Sequence, residues 1–202
     1  MKNLIARLSV GILCSSIAAI TSAADFTETL SSQYCVKQTS VRGDYANLII
    51  DHNLTIAPED RRKTGDIYVA ARFKKSGEWW LLGDNMQWRK ANSEADLRSA
   101  ARLSYAQLPP VVPVQVFYDP ADIRSVAGDG EIWVGYGLRK STESLDVSFA
   151  EMVAKQRYNL LWEAPPQNMD PELGVRIDQS TTLLCFDISD VTNTFSLATP
   201  LK

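Results

Sequence analysis

The 202-residue chain carries one histidine, His52, and that single imidazole bounds its chemistry. Zinc sites built on two or three histidines are out of reach, and a Ser-His-Asp triad would have to use His52 itself. No Gly-x-Ser-x-Gly elbow accompanies it. His52 alternates with Ile50 and Leu54 in a period-two run, which marks a partly buried, hydrogen-bonded side chain, not a base facing substrate. Carboxylates gather at Asp119, Asp122, Asp129 and Glu131. Their spacing misses the Asp-x-Asp-x-Asp-Gly calcium loop, and turn capping accounts for Asp119 and Asp129. An exported hydrolase using carboxylates is the alternative functional class; it would need two of them held at a set separation in a cleft. No cofactor loop or metal-ligand spacing is found, so no cofactor and no metal is expected.

Aromatic residues offer a different chemistry. Trp79, Trp80 and Trp88 fall close together with Arg72 and Arg89 nearby. Neighbours on a strand point to opposite faces, so Trp79 and Trp80 cannot share one environment. An exposed tryptophan on a sheet can stack on a sugar ring or anchor a protein interface. Trp79, Trp80, Trp88, Arg72 and Arg89 are therefore the candidate binding surface.

The elements that must position these residues are mostly strands. In Gly130-Glu-Ile-Trp-Val-Gly-Tyr-Gly-Leu138, Ile132, Val134, Tyr136 and Leu138 alternate with Trp133, Gly135 and Gly137, the pattern of a strand with one buried face. Arg157 to Trp162 is its antiparallel return. Upstream, a long strand runs from Asn47 to Pro58, a second over 66–73, and Lys74-Lys-Ser-Gly77 turns into Glu78–Leu82. A short strand at 86–89 completes a meander. Ser93-Glu-Ala-Asp96 resembles a helix start, and 93–105 reads as a loop or short helix with Leu97, Ala100, Ala101 and Tyr105 on one side. Leu108 to Pro113 is a stiff lead into a strand at 114–118. Between the central pair, Phe149, Met152 and Val153 recur at helical spacing, with Asp146 or Ser148 able to cap. A final apolar strand, 180–188, holds Cys185. Many short strands with frequent turn signals indicate a mainly β fold, a sandwich with one or two short helices.

The opening residues indicate the compartment. Lys2 and Arg7, an apolar run from Leu8 to Ile20, and Thr21-Ser-Ala-Ala24 are the parts of a secretory signal peptide, expected to span 1–23. Its removal takes the formal charge from −3 to about −5. A mildly acidic chain has no general pull toward nucleic acid, and no second run is long enough to span a bilayer. Cys35 and Cys185 are then the mature cysteines, and an oxidising compartment favours their pairing as a disulfide. The expected layout is an N-terminal arm over 24–46, a β-sandwich body over 47–163 and a C-terminal arm over 164–202, with the disulfide linking the arms.

Gly-Asp-Ile-Tyr-Val-Ala-Ala-Arg (65–72), the Trp-rich hairpin, Gly-Glu-Ile-Trp-Val-Gly-Tyr-Gly-Leu (130–138), Glu151-Met152 and Arg157-Tyr158 resemble a pattern in immunoglobulin-like modules of exported bacterial surface and periplasmic proteins. The resemblance covers 65–162 and implies an immunoglobulin-like β-sandwich; its motifs report strand packing and carry no catalytic residues. The expectation is a non-catalytic binding or assembly module of the periplasm or cell surface, of the accessory, adhesion or pilus type. Its partner would be another exported or cell-surface protein, or a glycan.

Overall fold

Residues 33–117, 119–176 and 183–187 are described by a computed structural model of the chain, all within one unit spanning 31–202. The expected signal peptide lies outside the described residues. Strands run in the order β1 (Gln33–Lys37), β2 (Thr39–Arg42), β3 (Ile49–Thr55), β4 (Gly65–Phe73), β5 (Trp79–Leu82), β6 (Trp88–Lys90), β7 (Leu103–Tyr105), β8 (Val111–Gln115), β9 (Gly130–Leu138), β10 (Tyr158–Glu163) and β11 (Leu183–Asp187). Helix α1 (Glu94–Arg98) follows β6, and α2 (Leu145–Ala154) lies between β9 and β10. Every strand pair is antiparallel.

One sheet has the order β10-β9-β4-β5-β6 with β7 added to the start of β4; a second has the order β2-β3-β8; β1 and β11 form a separate pair. The period-two alternation of the sequence is realised as one shared core. Ile50 and Leu54 of β3 and Val112 and Val114 of β8 cluster with Ile67, Val69 and Ala71 of β4 and Ile132, Val134 and Tyr136 of β9. The core also draws in residues outside 47–163: Val41 and Tyr45 before it, Ala164 and Val175 after it. Tyr45 Oη donates to the Pro165 carbonyl at 2.6 Å, which ties those two flanks together.

Turn chemistry sets the strand ends. Proline cannot continue a ladder, and after β3 the chain enters a 3-10 turn at Pro58–Asp60. Gly77 takes φ +72° and donates to the Phe73 carbonyl at 2.8 Å, closing the β4–β5 hairpin where a side chain would be strained.

The structure departs from the sequence reading at three places. The 93–105 segment is helical only to Arg98, where a Ser93/Asp96 capping box starts it; Leu103–Tyr105 is a strand. It pairs with Gly65–Ile67 of β4, backbone that β5 does not reach, so sheet pairing overrides the helical spacing of Tyr105. The strand expected at 114–118 is instead β8, three residues earlier at its start; Pro113 sits opposite Asn53 on an edge strand, where its missing N–H costs no ladder bond. Helix α2 begins after Ser144, not at Asp146 or Ser148, and Ser148 is fully buried inside it.

Candidate functional site

The face of the large sheet turned away from the core is built by the alternate residues of four strands. On β4 these are Asp66, Tyr68, Ala70 and Arg72; on β9 they are Glu131, Trp133, Gly135 and Gly137. Register then places Trp79 opposite Arg72, and Leu81 and Trp133 on the two sides of Ala70. Tyr158 of β10 lies opposite Gly135.

Helix α2 covers one half of this face. A Cβ on Gly137 would collide with the Ser148 backbone, so glycine is what lets the helix lie against β9. Phe149 packs edge-on against Tyr68 at 5.4 Å, and Tyr68 Oη donates to the Leu145 carbonyl at 3.0 Å. Burial there pushes the Tyr68 hydroxyl pKa up. Asp66, fully buried, accepts from Arg139 Nε at 2.7 Å and from Ser104 Oγ at 2.6 Å. From the last turns of the helix, Glu151 pairs with Arg157 and accepts from the Leu138 N–H at 2.9 Å. Arg157 also reaches the buried carboxylate of Asp60 at 2.9 Å, to which Tyr136 Oη donates at 3.0 Å. Asp66 and Asp60 thus each have an arginine beside them, and these networks clamp the helix and the turn onto the sheet.

The other half of the face is a row of aromatic rings. Ala70 presents only a methyl group, so the rings from β5 and β9 close over β4. Trp79 and Trp133 stand 6.3 Å apart at 52°, and Trp133 and Tyr158 stand 6.1 Å apart at 53°. The Arg72 guanidinium lies 5.7 Å from the Trp79 ring centroid and 3.7 Å from Glu131, whose other contact is the Trp133 indole N–H at 3.1 Å. Tyr158 is 39 % exposed, while Trp79, Trp133 and Arg72 are half-buried. The tilted rings present edges and faces to solvent around one pinned charge pair, a surface suited to stacking and hydrogen bonding.

No family model, curated protein or solved structure matches the chain.

The five residues singled out from the sequence divide between the two faces. Trp79, Arg72 and Arg89 share the outer face, with Arg89 exposed opposite Leu81. Trp80 and Trp88 turn inward and pack against the core. Sequence reasoning missed Trp133 and Tyr158, which complete the row. A signal was present: Trp133 sits on the glycine side of the alternating strand, where only Glu131, Gly135 and Gly137 accompany it.

The remaining chemistry-bearing residues are dispersed. His52 is 2 % exposed, its Nδ1 lies 3.0 Å from Thr39 Oγ1, and burial drives its pKa down to about 4. Of the acidic stretch, Asp122 pairs with Arg124, Asp129 accepts from the Lys75 N–H at 2.8 Å, and Glu131 belongs to the aromatic row. Among the described residues, no three His, Cys, Asp or Glu side chains come together as a metal-ligand set. Cys35 and Cys185 lie on the β1–β11 pair as direct register partners.

Proposed function

We propose that the chain is an exported, non-catalytic binding or assembly module that engages another exported or cell-surface protein through the outer face of the large sheet. The observation that carries this reading is the Trp79–Trp133–Tyr158 row with Arg72 beside it, left uncovered by α2. Tryptophan, tyrosine and arginine are the residue types that dominate binding energy at protein interfaces. The sealed position of His52 keeps the chain's one imidazole away from any substrate, which supports a role without histidine acid–base chemistry.

Within the mainly β architecture, strand order supports an immunoglobulin-like arrangement. In a variable-type immunoglobulin sandwich the larger sheet extends strands G, F and C with C′ and C″. The order β10-β9-β4-β5-β6 follows that series, and β2-β3-β8 follows A, B and E. Strand β7 departs from it by joining β4. The register of Cys35 against Cys185 supports a disulfide that ties the terminal strands, worth roughly 4–5 kcal/mol by loop-closure entropy. Thiol labelling of the purified protein before and after reduction tests the bridge; full labelling without reductant contradicts it.

The function is tested by immobilising the purified protein and comparing what it retains from a periplasmic extract with what the Trp133→Ala, Tyr158→Ala double variant retains. A protein held by the first and lost by the second, with both folded, is the expected result. Identical eluates would overturn the reading.

A further inference from the structure

Trp79 has an arginine on each side. The β4–β5 register sets Arg72 opposite it, and the β5–β6 register sets Arg89 opposite Leu81, two residues further along the same face of β5. The Ala91 N–H donates to the Trp79 carbonyl at 2.8 Å, which makes Arg89 a diagonal neighbour of the indole, within reach of a long side chain. Among the described residues Arg72 makes no hydrogen bond: its one ion contact, Glu131, stands 3.7 Å away, and its side chain is 41 % exposed. Arg89 is exposed and pairs with no carboxylate among the described residues, while Glu78 of the same hairpin is held by Lys90 at 2.5 Å. The Trp79 indole N–H also lacks an acceptor and, unlike that of Trp80, is open to solvent. Given the binding role proposed above, on which this inference rests, we propose that the docked partner is an extended acidic segment. Its Asp or Glu carboxylate settles between Arg72 and Arg89 and takes hydrogen bonds from them and from Trp79 Nε1.

Desolvation selects the carboxylate. A partner that covers the Trp79–Trp133–Tyr158 row also covers Arg72, and a guanidinium taken from water without an acceptor is strongly unfavourable. A carboxylate removes that penalty with the short, charge-assisted hydrogen bonds that arginine makes best. Local charge agrees. The chain as a whole is acidic, with 24 Asp and Glu against 21 Lys and Arg. Along this strip, however, the carboxylates are occupied: Glu131 by Arg72 and Trp133, Glu78 by Lys90, Glu163 by Lys74. Arg89 is the charge left over. A quaternary ammonium ligand would be repelled by Arg72, which already lies 5.7 Å from the Trp79 ring centroid. Distance sets the partner's spacing. Ring centroids run 6.3 Å from Trp79 to Trp133 and a further 6.1 Å to Tyr158. At about 3.3 Å per residue, an extended segment would place an apolar or aromatic side chain on the far rings about two to four positions from its acidic residue.

The experiment pans a random peptide library, displayed on phage, against the immobilised protein and then measures the most enriched peptide by fluorescence anisotropy. Enriched sequences should share an Asp or Glu about two to four positions from an aromatic or large apolar residue. Changing that acidic residue to its amide should weaken binding about tenfold, the loss expected for a hydrogen bond between charged groups. This change is read in the unaltered protein and so needs no variant to fold. Arg72→Gln and Arg89→Gln should each weaken the acidic peptide by about the same factor. In the double variant the amide change should cost no more than about twofold, because both alterations remove one interaction. Trp79→Phe keeps a ring and loses the N–H, and should weaken binding about fivefold. Enriched peptides that are neutral or basic, yet lost with Trp133→Ala, would overturn the acidic partner and leave the binding face standing. Peptides indifferent to Trp133 and to both arginines, or no enrichment at all, would overturn both. An affinity for oligogalacturonate above that of any enriched peptide would place the carboxylate on a glycan and overturn the protein partner.

Discussion

Trp79 and Trp80 are neighbours in the chain, yet they belong to opposite sides of one sheet and to different kinds of surface. Trp80 stands opposite Ala71, inside, against Phe73 and the core; Trp79 stands opposite Arg72, outside, against Trp133. On the inner side residues are held by complementary packing, and a change there is felt through the whole fold. On the outer side that α2 leaves uncovered the rings support one another across strands, and under the proposed function a change there is felt first by the docked partner. The contrast also holds within the outer face itself: glycines and a buried ion pair seat α2 over one half, while alanine and tryptophan leave the other half open. A single sheet thus divides its residues into those that maintain the fold and those that the proposed binding role would use.

The largest effects should come from the packed regions. Trp162 is 2 % exposed and its indole N–H donates to the Pro171 carbonyl at 2.8 Å. Trp162→Ala should lower unfolding stability by about 3–5 kcal/mol, measured by urea denaturation. Arg139→Ala should cost a similar amount, about 3–5 kcal/mol, because it strands the Asp66 carboxylate with no cation beside it. If either variant unfolds like the unaltered protein, the inner side and the covered half are not packed as described.

Acid should act on the interior next. The folded-state pKa of His52, about 4, lies below the ordinary value, so between the two the unfolded chain binds the proton more readily. Stability from the neutral, buried imidazole is fully present above about pH 6.5 and is lost as pH falls toward 4, by up to about 3 kcal/mol. Comparing urea midpoints from pH 7.5 to 4.5 for the protein and His52→Gln isolates this contribution; equal pH slopes would place His52 in solvent.

The smallest effect on folding should come from the uncovered half. Trp79→Ala should cost no more than about 1–2 kcal/mol, since the side chain is half-buried and Arg72 keeps Glu131 as a partner. A loss as large as that for Trp162→Ala would erase the distinction between the two sides.

Much of this arrangement was legible because local patterns and tertiary structure agree. The alternation in 130–138 predicts a strand whose bounds the fold reproduces, and the Lys74–Gly77 turn forms where serine and glycine allow it. What was not legible depends on pairing between distant segments. Strand β2, Thr39–Arg42, has no apolar period of its own and exists as the partner of β3. Strand β7 was hidden by helical spacing and is stabilised by free backbone on β4. The aromatic row required knowing that β9 lies beside β4, which alone brings Trp133 to Trp79. No stretch of sequence near either residue contains that information.

The claim that the uncovered aromatic half is the working surface is tested most directly by hydroxyl-radical footprinting of the protein alone and with its retained partner bound. Oxidation of Trp79, Trp133 and Tyr158 should fall on binding, while Trp162, buried in both states, stays unchanged. If the three outer rings oxidise equally with and without partner, and protection falls instead on the edge strands β6 or β8, the account of this sheet as a binding face is contradicted.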